Sequence, residues 1–455
     1  MGVPVLLQPA SASEYVEQGL SAVDRLDARL RAMITVTAGR ARQRAQELDS
    51  LAAAGRSAGL LHGLTVTLKD VIHTAGVRTT NGANFPEDEY PEHDAEVVTR
   101  LMRAGAISIG KANLHEFAYG GTTQNPFHGS CRNPWDLERI PGGSSGGSGA
   151  GIAAGYAHVA LGTDTAGSGR LPAALNGIAG LRPTPGRISG RGVTPVSAAF
   201  DTISPMARRV SDIAKVYMVL AGYDPADPVS VDRPVEDPLL GLSAGIRGLK
   251  IGLPRRHFFD AMDDGVARAV EQGLATLADL GAQLVDIDIP DAENASQPFE
   301  HLFHTDAAGY HEERLARAPD RYGADTRQRL QTLGGKVSGA AYARALVWAA
   351  AWRRQLQGVF AQVDVVVHPS APAVAPTVEE CRDTTAATRR LTTCCYPWSL
   401  ACVPVLSLPV GFAEHGMPCG LTAVAAWWNE PVLFRLGEAF QRATDWHLRQ
   451  PPIAA

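Results

Sequence analysis

The sequence predicts an α/β fold, and three observations carry the prediction. Short runs with strand periodicity recur along the chain, amphipathic stretches with helical spacing lie between them, and the two kinds alternate. Residues 12–55 read as helical, with Tyr15, Leu20, Val23, Leu26, Leu30 and Met33 at three-to-four spacing. Residues 64–70, LTVTLKD, alternate with period two and predict a strand. A helix follows at DAEVVTRLMRAGA, with Asp94 as its cap and Gly105 as its stop, and then a strand at ISIGKA. Residues 149–157 predict a helix of small residues, and HVALGTD another strand. A Pro- and Asp-rich stretch, residues 222–241, reads as a surface connection. Beyond it come a strand at LKIGLP, a helix at GVARAVEQGLATLADLG, a strand at AQLVDIDIP and a mainly helical region over 297–362. VDVVVHPS and VPVLSLPVGF predict late strands, and PVLFRLGEAFQRATDWH a closing amphipathic helix.

Composition narrows the function classes. Hydrophobic residues make up 45% and charged residues 20% of 455 residues, an ordinary globular balance. The net charge of −5, with both signs interspersed, offers no basic face for a nucleic acid. Six cysteines, at 131, 381, 394, 395, 402 and 419, form no C-x-x-C pair, which favours reduced thiols and a cytoplasmic location. The opening residues lack the basic region of a secretory signal, and Leu6 stands where myristoylation needs Ser or Thr. No apolar run reaches the 18 residues of a membrane span.

One stretch asks for an explanation: PGGSSGGSGAG, residues 141–151. Glycine costs backbone entropy, so this cluster needs a reason. A linker is a poor one, because the flanks are apolar elements and not domain ends. Nucleotide binding fares no better. The nearby G-x-x-x-x-G-K of residues 105–111 is followed by Ala112 where a magnesium-binding hydroxyl belongs, and Gly149-x-Gly151-x-x-x-Gly155 has loose spacing and no clear strand before it. HEFAY fails the zincin motif at Tyr119, and the S-x-x-K of Ser108 to Lys111 has no K-T-G box to accompany it. Gly142 to Gly146 satisfies G-x-S-x-G, which would make Ser144 the nucleophile of an α/β-hydrolase esterase with Asp364 and His368 or His447 behind it. That fold needs an apolar strand running into the elbow, and CRNPWDLERIPGG is not one.

Three segments taken together give a more specific reading: Lys69 at a strand end, the serine–glycine stretch, and LGTDTAGSGRLPAALNGIAGLRPTPGRIS over residues 161–189. Here the chain resembles the amidase signature family of serine hydrolases, whose hallmark is a Ser–cis-Ser–Lys triad. The family's lysine maps onto Lys69, its cis-serine onto Ser144 and its nucleophile, 24 residues on, onto Ser168. GLTVTLKDVIHTAGVRTTNGA, LMRAGAISIGKANLHEFAYGG, NPWD, DTISPMARRVSD and LSLPVGF resemble family segments too, so the likeness runs from about residue 12 to 447. It implies a large twisted mixed β-sheet covered by helices on both faces, built as a single amidase domain over 1–455. Within it, 12–55 would be an N-terminal helical segment, 61–222 the catalytic core, 223–245 the surface connection, and 246–447 the remainder of sheet and cover.

The chemistry explains why such residues belong together. Serine is a weak nucleophile that needs a base beside it. Lysine serves only when neutral, and holding it so near pH 7.5 costs about 4 kcal/mol from an ordinary pKa of about 10.4. Burial at the end of an apolar strand supplies that shift by desolvating the ammonium. Ser144 would then relay the proton to Lys69, while glycines let the backbone follow an unusual path there. Ser145 and Ser148 read as structural hydrogen-bonders. The resemblance places an oxyanion hole in the loop of Thr165, Ala166, Gly167 and Ser168, braced by Asp164 and Arg170. The sequence departs from the commonest family pattern, D-T-G-G-S-I-R, with Ala166 for a glycine and Gly169 for a large apolar residue. An alanine at 166 would be strained if that position required a positive φ.

The resemblance further implies a substrate wall at Tyr119, Gly120 and Gly121, with Trp398 as an additional candidate. It implies no metal or organic cofactor. The expected partner is a small-molecule amide, or a carbamate (urethane), with no nucleic acid and no membrane; oligomeric state is left open. DTAGSGR is similar to allophanate hydrolases, which usually carry a further C-terminal domain. The amidotransferase A subunit is another relative, but that branch favours GLQLVG where this chain reads GLTAVAAWW, residues 420–428. The expectation is therefore a stand-alone amidohydrolase acting on linear amides, the amidotransferase component being the alternative within the family.

Overall fold

A computed structural model describes residues 11–86, 90–260 and 262–454. The readings made on the first ten residues lie outside them. In chain order the strands are β1 (Met33–Val36), β2 (Thr65–Lys69), β3 (Ile107–Ala112), β4 (Gln124–Asn125), β5 (Gly129–Ser130), β6 (Val159–Asp164), β7 (Ala179–Arg182), β8 (Thr202–Ala207), β9 (Lys250–Leu253), β10 (Gln283–Asp286), β11 (Val365–Pro369), β12 (Val405–Phe412) and β13 (Pro418–Ala425). Among the described residues eleven of them form one sheet in the order β1-β3-β2-β6-β8-β7-β12-β13-β11-β9-β10, while β4 and β5 pair with each other. The sheet is mixed: β2 runs parallel to β3 and β6, whereas β6, β7 and β8 pair antiparallel, as do β12 and β13.

Helices cover both faces. Gly437 of the helix Glu430–Ala443 packs on Leu406, and Gly273 of the helix Asp264–Asp279 packs on Val410. Leu406 and Pro409, three residues apart, face opposite sides of β12, because side chains alternate along a strand. Gly420 of β13 lies opposite Pro409 and packs on Ala174 of the helix Arg170–Leu175, which places that helix on the other side. No helix of the described residues is long and apolar enough to cross a membrane.

Three local expectations are corrected. Residues 12–55 are not continuously helical: the helix Ala12–Leu30 ends at Arg31, φ 51°, and β1 intervenes before the helix Ala38–Ala53. The edge of the sheet captures 33–36 by pairing with β3, which local periodicity cannot foresee. Asp94 does not cap the next helix, whose N-cap is Ala95; its carboxylate instead accepts the Ala75 N–H at 2.7 Å. The small-residue helix runs over Gly146–Ala153, three residues earlier than its apolar content suggests.

Candidate active site

The parallel pairing of β2 and β6 sets the site. Leu68 lies beside Leu161, so Lys69 and the end of β6, Thr163 and Asp164, emerge together at the carboxyl edge of neighbouring strands. All five residues of β2 and all six of β6 are buried, which forces Lys69 to find its partners within the protein. Its Nζ donates to Ser144 Oγ and to Thr163 Oγ1, both at 2.7 Å. Burial pushes the ammonium down to about 7, although the charges of Asp201 and Asp164 pull the other way.

The glycine-rich stretch places Ser144. The Gly143–Ser144 peptide bond is cis, and Gly142 before it has φ 78°, a conformation that side chains disfavour. Thr123 Oγ1 donates to the Gly142 carbonyl at 2.8 Å, and the Ser144 carbonyl accepts the His115 N–H at 3.1 Å. A side chain on Gly147 would strike the backbone of Asn113, so the helix that begins here can approach only because glycine stands there. Ser145 Oγ donates to the Thr163 carbonyl at 3.1 Å, tying this helix to β6. Ser148 differs from its expectation: among the described residues its hydroxyl has no partner.

Ser168 lies alongside, its carbonyl accepting the Ser145 N–H at 3.2 Å. It is 8% exposed, while Lys69 and Ser144 are wholly enclosed. Of the three, only the Ser168 side has surface that a substrate can meet.

The loop before Ser168 is wound around Asp164. That carboxylate accepts the N–H groups of Gly167 (2.9 Å), Gly169 (3.1 Å) and Arg170 (3.2 Å), and two guanidinium bonds from Arg170 at 2.9 Å each. Arg182 Nη1 donates to the Asp164 main-chain carbonyl and lies 3.3 Å from its carboxylate. Burial works to raise this carboxyl, but the Arg170 charge and these hydrogen bonds hold it well below the ordinary carboxylate range. One donor assignment changes as a result. The Gly167 N–H is committed to Asp164 and is not free for a substrate oxygen, whereas the N–H groups of Thr165, Ala166 and Ser168 meet no acceptor among the described residues.

The departures from the family pattern fit this geometry. Ala166 has no positive φ; it is Gly167, φ 119°, that takes the unusual conformation. A Cβ on Gly169 would collide with the Ser204 side chain, whose hydroxyl donates to the Leu181 carbonyl at 2.7 Å. Ser204 fills the room that a larger residue would need.

Tyr119 is corrected as a substrate wall: it is buried, its ring packs on Phe303, and its segment faces the helical cover. The Tyr119 hydroxyl is bonded to His304 Nδ1 at 2.5 Å, and burial holds that imidazole near 3, neutral. A Cβ on Gly120 would strike the His115 ring, and the Gly121 N–H donates to Thr388 Oγ1 at 3.0 Å. Trp398 is corrected: it is fully buried, its ring stacks on Phe258 and its Nε1 donates to His368 at 2.7 Å. A ring packed on both its face and its polar edge is core, and no surface remains for a substrate. Sequence reasoning also missed Thr163 and Asp201. Both sit in segments quoted for their likeness, LGTDTAGS and DTISPMARRVSD, but only the folded chain brings them to Lys69.

Comparison with known proteins agrees with this architecture. The Amidase family matches residues 14–434. The A subunit of the glutamyl-tRNA(Gln) amidotransferase of Roseiflexus sp. (strain RS-1) is 39% identical over 97% of this chain and 94% of its own. A solved structure from work on a vestigial protein complex and the origins of an s-triazine catabolic enzyme superposes with a TM-score of 0.89 at 33% identity, covering 95% of each chain. The peptide amidase PAM, bound to chymostatin, superposes with a TM-score of 0.84 at 30% identity, over 97% of this chain and 96% of that one. A family match across nearly the whole length, with relatives above 30% identity over that same length, makes this chain a member of the amidase family.

Proposed function

We propose that the protein hydrolyses the C–N bond of an uncharged amide through an acyl-enzyme on Ser168, with Ser144 as relay and Lys69 as base. The observation that carries this reading is the 2.7 Å bond between Lys69 Nζ and Ser144 Oγ, inside a setting that brings the amine down to about 7. In the neutral form Lys69 accepts the Ser144 proton while Ser144 accepts that of Ser168, so the attacking oxygen gains charge as the carbonyl carbon becomes tetrahedral. The oxyanion turns to the open N–H groups of Thr165, Ala166 and Ser168. Such donors are each worth roughly 3 kcal/mol in related chemistry. The relay returns its proton to the leaving nitrogen, the C–N bond breaks, and water repeats the attack on the acyl carbon.

The charge pairing of the nearby helical cover favours a neutral acyl group. Arg329, whose charge reaches Tyr119 and His304, is paired with Asp325 at 3.1 Å, and Arg389 with Glu300 at 2.9 Å. Neither guanidinium is left over for a substrate carboxylate. Aryl and alkyl amides come first on this ground, and carbamates next, since they undergo the same attack. The second reading, an amidotransferase component, is favoured by the 39% identity to a protein of that name. One set of assays separates the three: an aryl amide and an aryl carbamate releasing the same aniline, and ammonia release from glutamine, each with Ser168→Ala as control. Faster aniline release from the amide is the expected result. Glutamine turnover alone would instead favour the amidotransferase reading.

A further inference from the structure

A second carboxylate stands beside the Lys69 site. Asp201, just before β8, accepts the Thr165 hydroxyl at 2.5 Å and the N–H groups of Val196 (2.8 Å) and Ser197 (3.2 Å). It thereby joins the loop that leads to Ser168 to the 195–198 segment. Asp201, half-buried as a residue, lines a cavity of about 220 Å³ together with Thr163 and Thr202.

The buried charges around it do not balance without it. Arg170 and Arg182 are both enclosed and share one carboxylate, Asp164. Arg170 is otherwise satisfied by the Cys395 carbonyl and Ser399, but Nε and Nη2 of Arg182 have no partner among the described residues. Asp201 is the further carboxylate whose field reaches both Arg182 and Lys69. With Asp201 ionised, two carboxylates offset two guanidinium groups and Lys69 can be neutral at no net buried charge. Beside this cluster, burial pushes the His115 imidazole down and the Cys395 and Cys402 thiols up; across the cavity Arg191 is paired with Glu96 at 2.5 Å and Asp224 at 2.8 Å, and Asp227 accepts the Gly190 N–H at 2.7 Å. Lys111, next along the sheet, has its own partner in Asp70 at 3.5 Å.

We propose that Asp201 is a positioning residue for the reaction, its carboxylate setting how tightly Lys69 holds a proton while its bond to Thr165 fixes the loop that carries the oxyanion donors. The inference rests on the reading of Lys69 as base. The sign is fixed by charge: removing a nearby anion weakens the protonated amine, so Lys69 titrates lower and the neutral base persists to lower pH.

The chain has five lysines, which makes Lys69 resolvable by NMR with ¹³Cε-labelled lysine and Lys69→Met as the blank. In Asp201→Asn the Lys69 midpoint falls by about one pH unit from its wild-type value, the low end of what a neighbouring charge does. Asp201→Glu keeps the charge and leaves the midpoint near that of the wild type. Thr165→Val, which removes the tether and not the charge, lowers turnover with the midpoint unmoved. An unchanged midpoint in folded Asp201→Asn overturns the proposal. Should that variant not fold, the wild-type curve decides: burial raises Asp201 to about 6, so the Lys69 resonance carries a second inflection there, and a single inflection overturns the proposal. Neither midpoint reading depends on turnover. Retained activity in Lys69→Met would instead overturn the assignment of the base.

Discussion

The chemistry proposed for Lys69, Ser144 and Ser168 depends on where the backbone leaves them. Lys69 is the last residue of a wholly buried strand, so desolvation does most of the work of leaving its amine unprotonated near neutral pH. The pH profile follows with a definite sign. If Lys69 is the base, the neutral amine is the active form, and with burial bringing it down to about 7, kcat/KM rises as pH increases through 7 and levels above it. A profile that falls across this interval would contradict the assignment. Lys69→Arg does not rescue Lys69→Met, since a guanidinium stays charged throughout. Steady-state rates of the two variants, both severely impaired, check this.

The 164–170 loop shows how one carboxylate shapes an element. Asp164 takes three backbone N–H groups and the Arg170 fork, and so orders the turn that delivers Ser168. Removing one member of such a buried pair strands the other, and Arg170→Met lowers unfolding free energy by about 3–5 kcal/mol, read by denaturant titration. A loss within about 1 kcal/mol, the scale of an exposed pair, would show that the loop holds its shape without it. The contact between Gly169 and Ser204 makes a second prediction. Gly169→Ala destabilises by about 1–3 kcal/mol through overpacking, and Ser204→Gly in that background recovers part of the loss, whereas additive losses would contradict the contact. The sequence made much of this loop legible, because Asp164, Arg170 and Ser168 stand within a few residues of one another. It did not disclose that Gly167 spends its N–H on Asp164, since hydrogen-bond direction is a property of the folded turn.

At the scale of the whole molecule, alternation of helices and strands was enough to indicate an α/β fold, and strands with clear patterning such as β2, β6 and β12 were readable. β7, β8 and β13 were not, because they lie inside segments whose residues caught attention for other reasons. Trp398 misled for a related cause: an aromatic residue near an active-site segment looks the same in sequence whether it faces a substrate or, as here, Phe258. Burying Lys69 also leaves a mark on global stability. Its proton is lost in the native state near 7 but in the unfolded chain only near about 10.4, so between these values the unfolded state binds more protons and stability rises with pH. Relative to Lys69→Met, the wild type therefore gains up to about 1.4 kcal/mol per pH unit between about pH 7 and 9. Thermal melts of both proteins across that range check it, and parallel curves would contradict it.

Under the proposed mechanism Ser168, and not Ser144, attacks the carbonyl. The most direct test is to trap the enzyme with a slowly turned-over aryl carbamate and locate the added mass by peptide mass spectrometry. The carbamoyl group is expected on Ser168, with no adduct in Ser168→Ala. An adduct on Ser144 would contradict it and return the serine of the G-x-S-x-G stretch to the role of nucleophile.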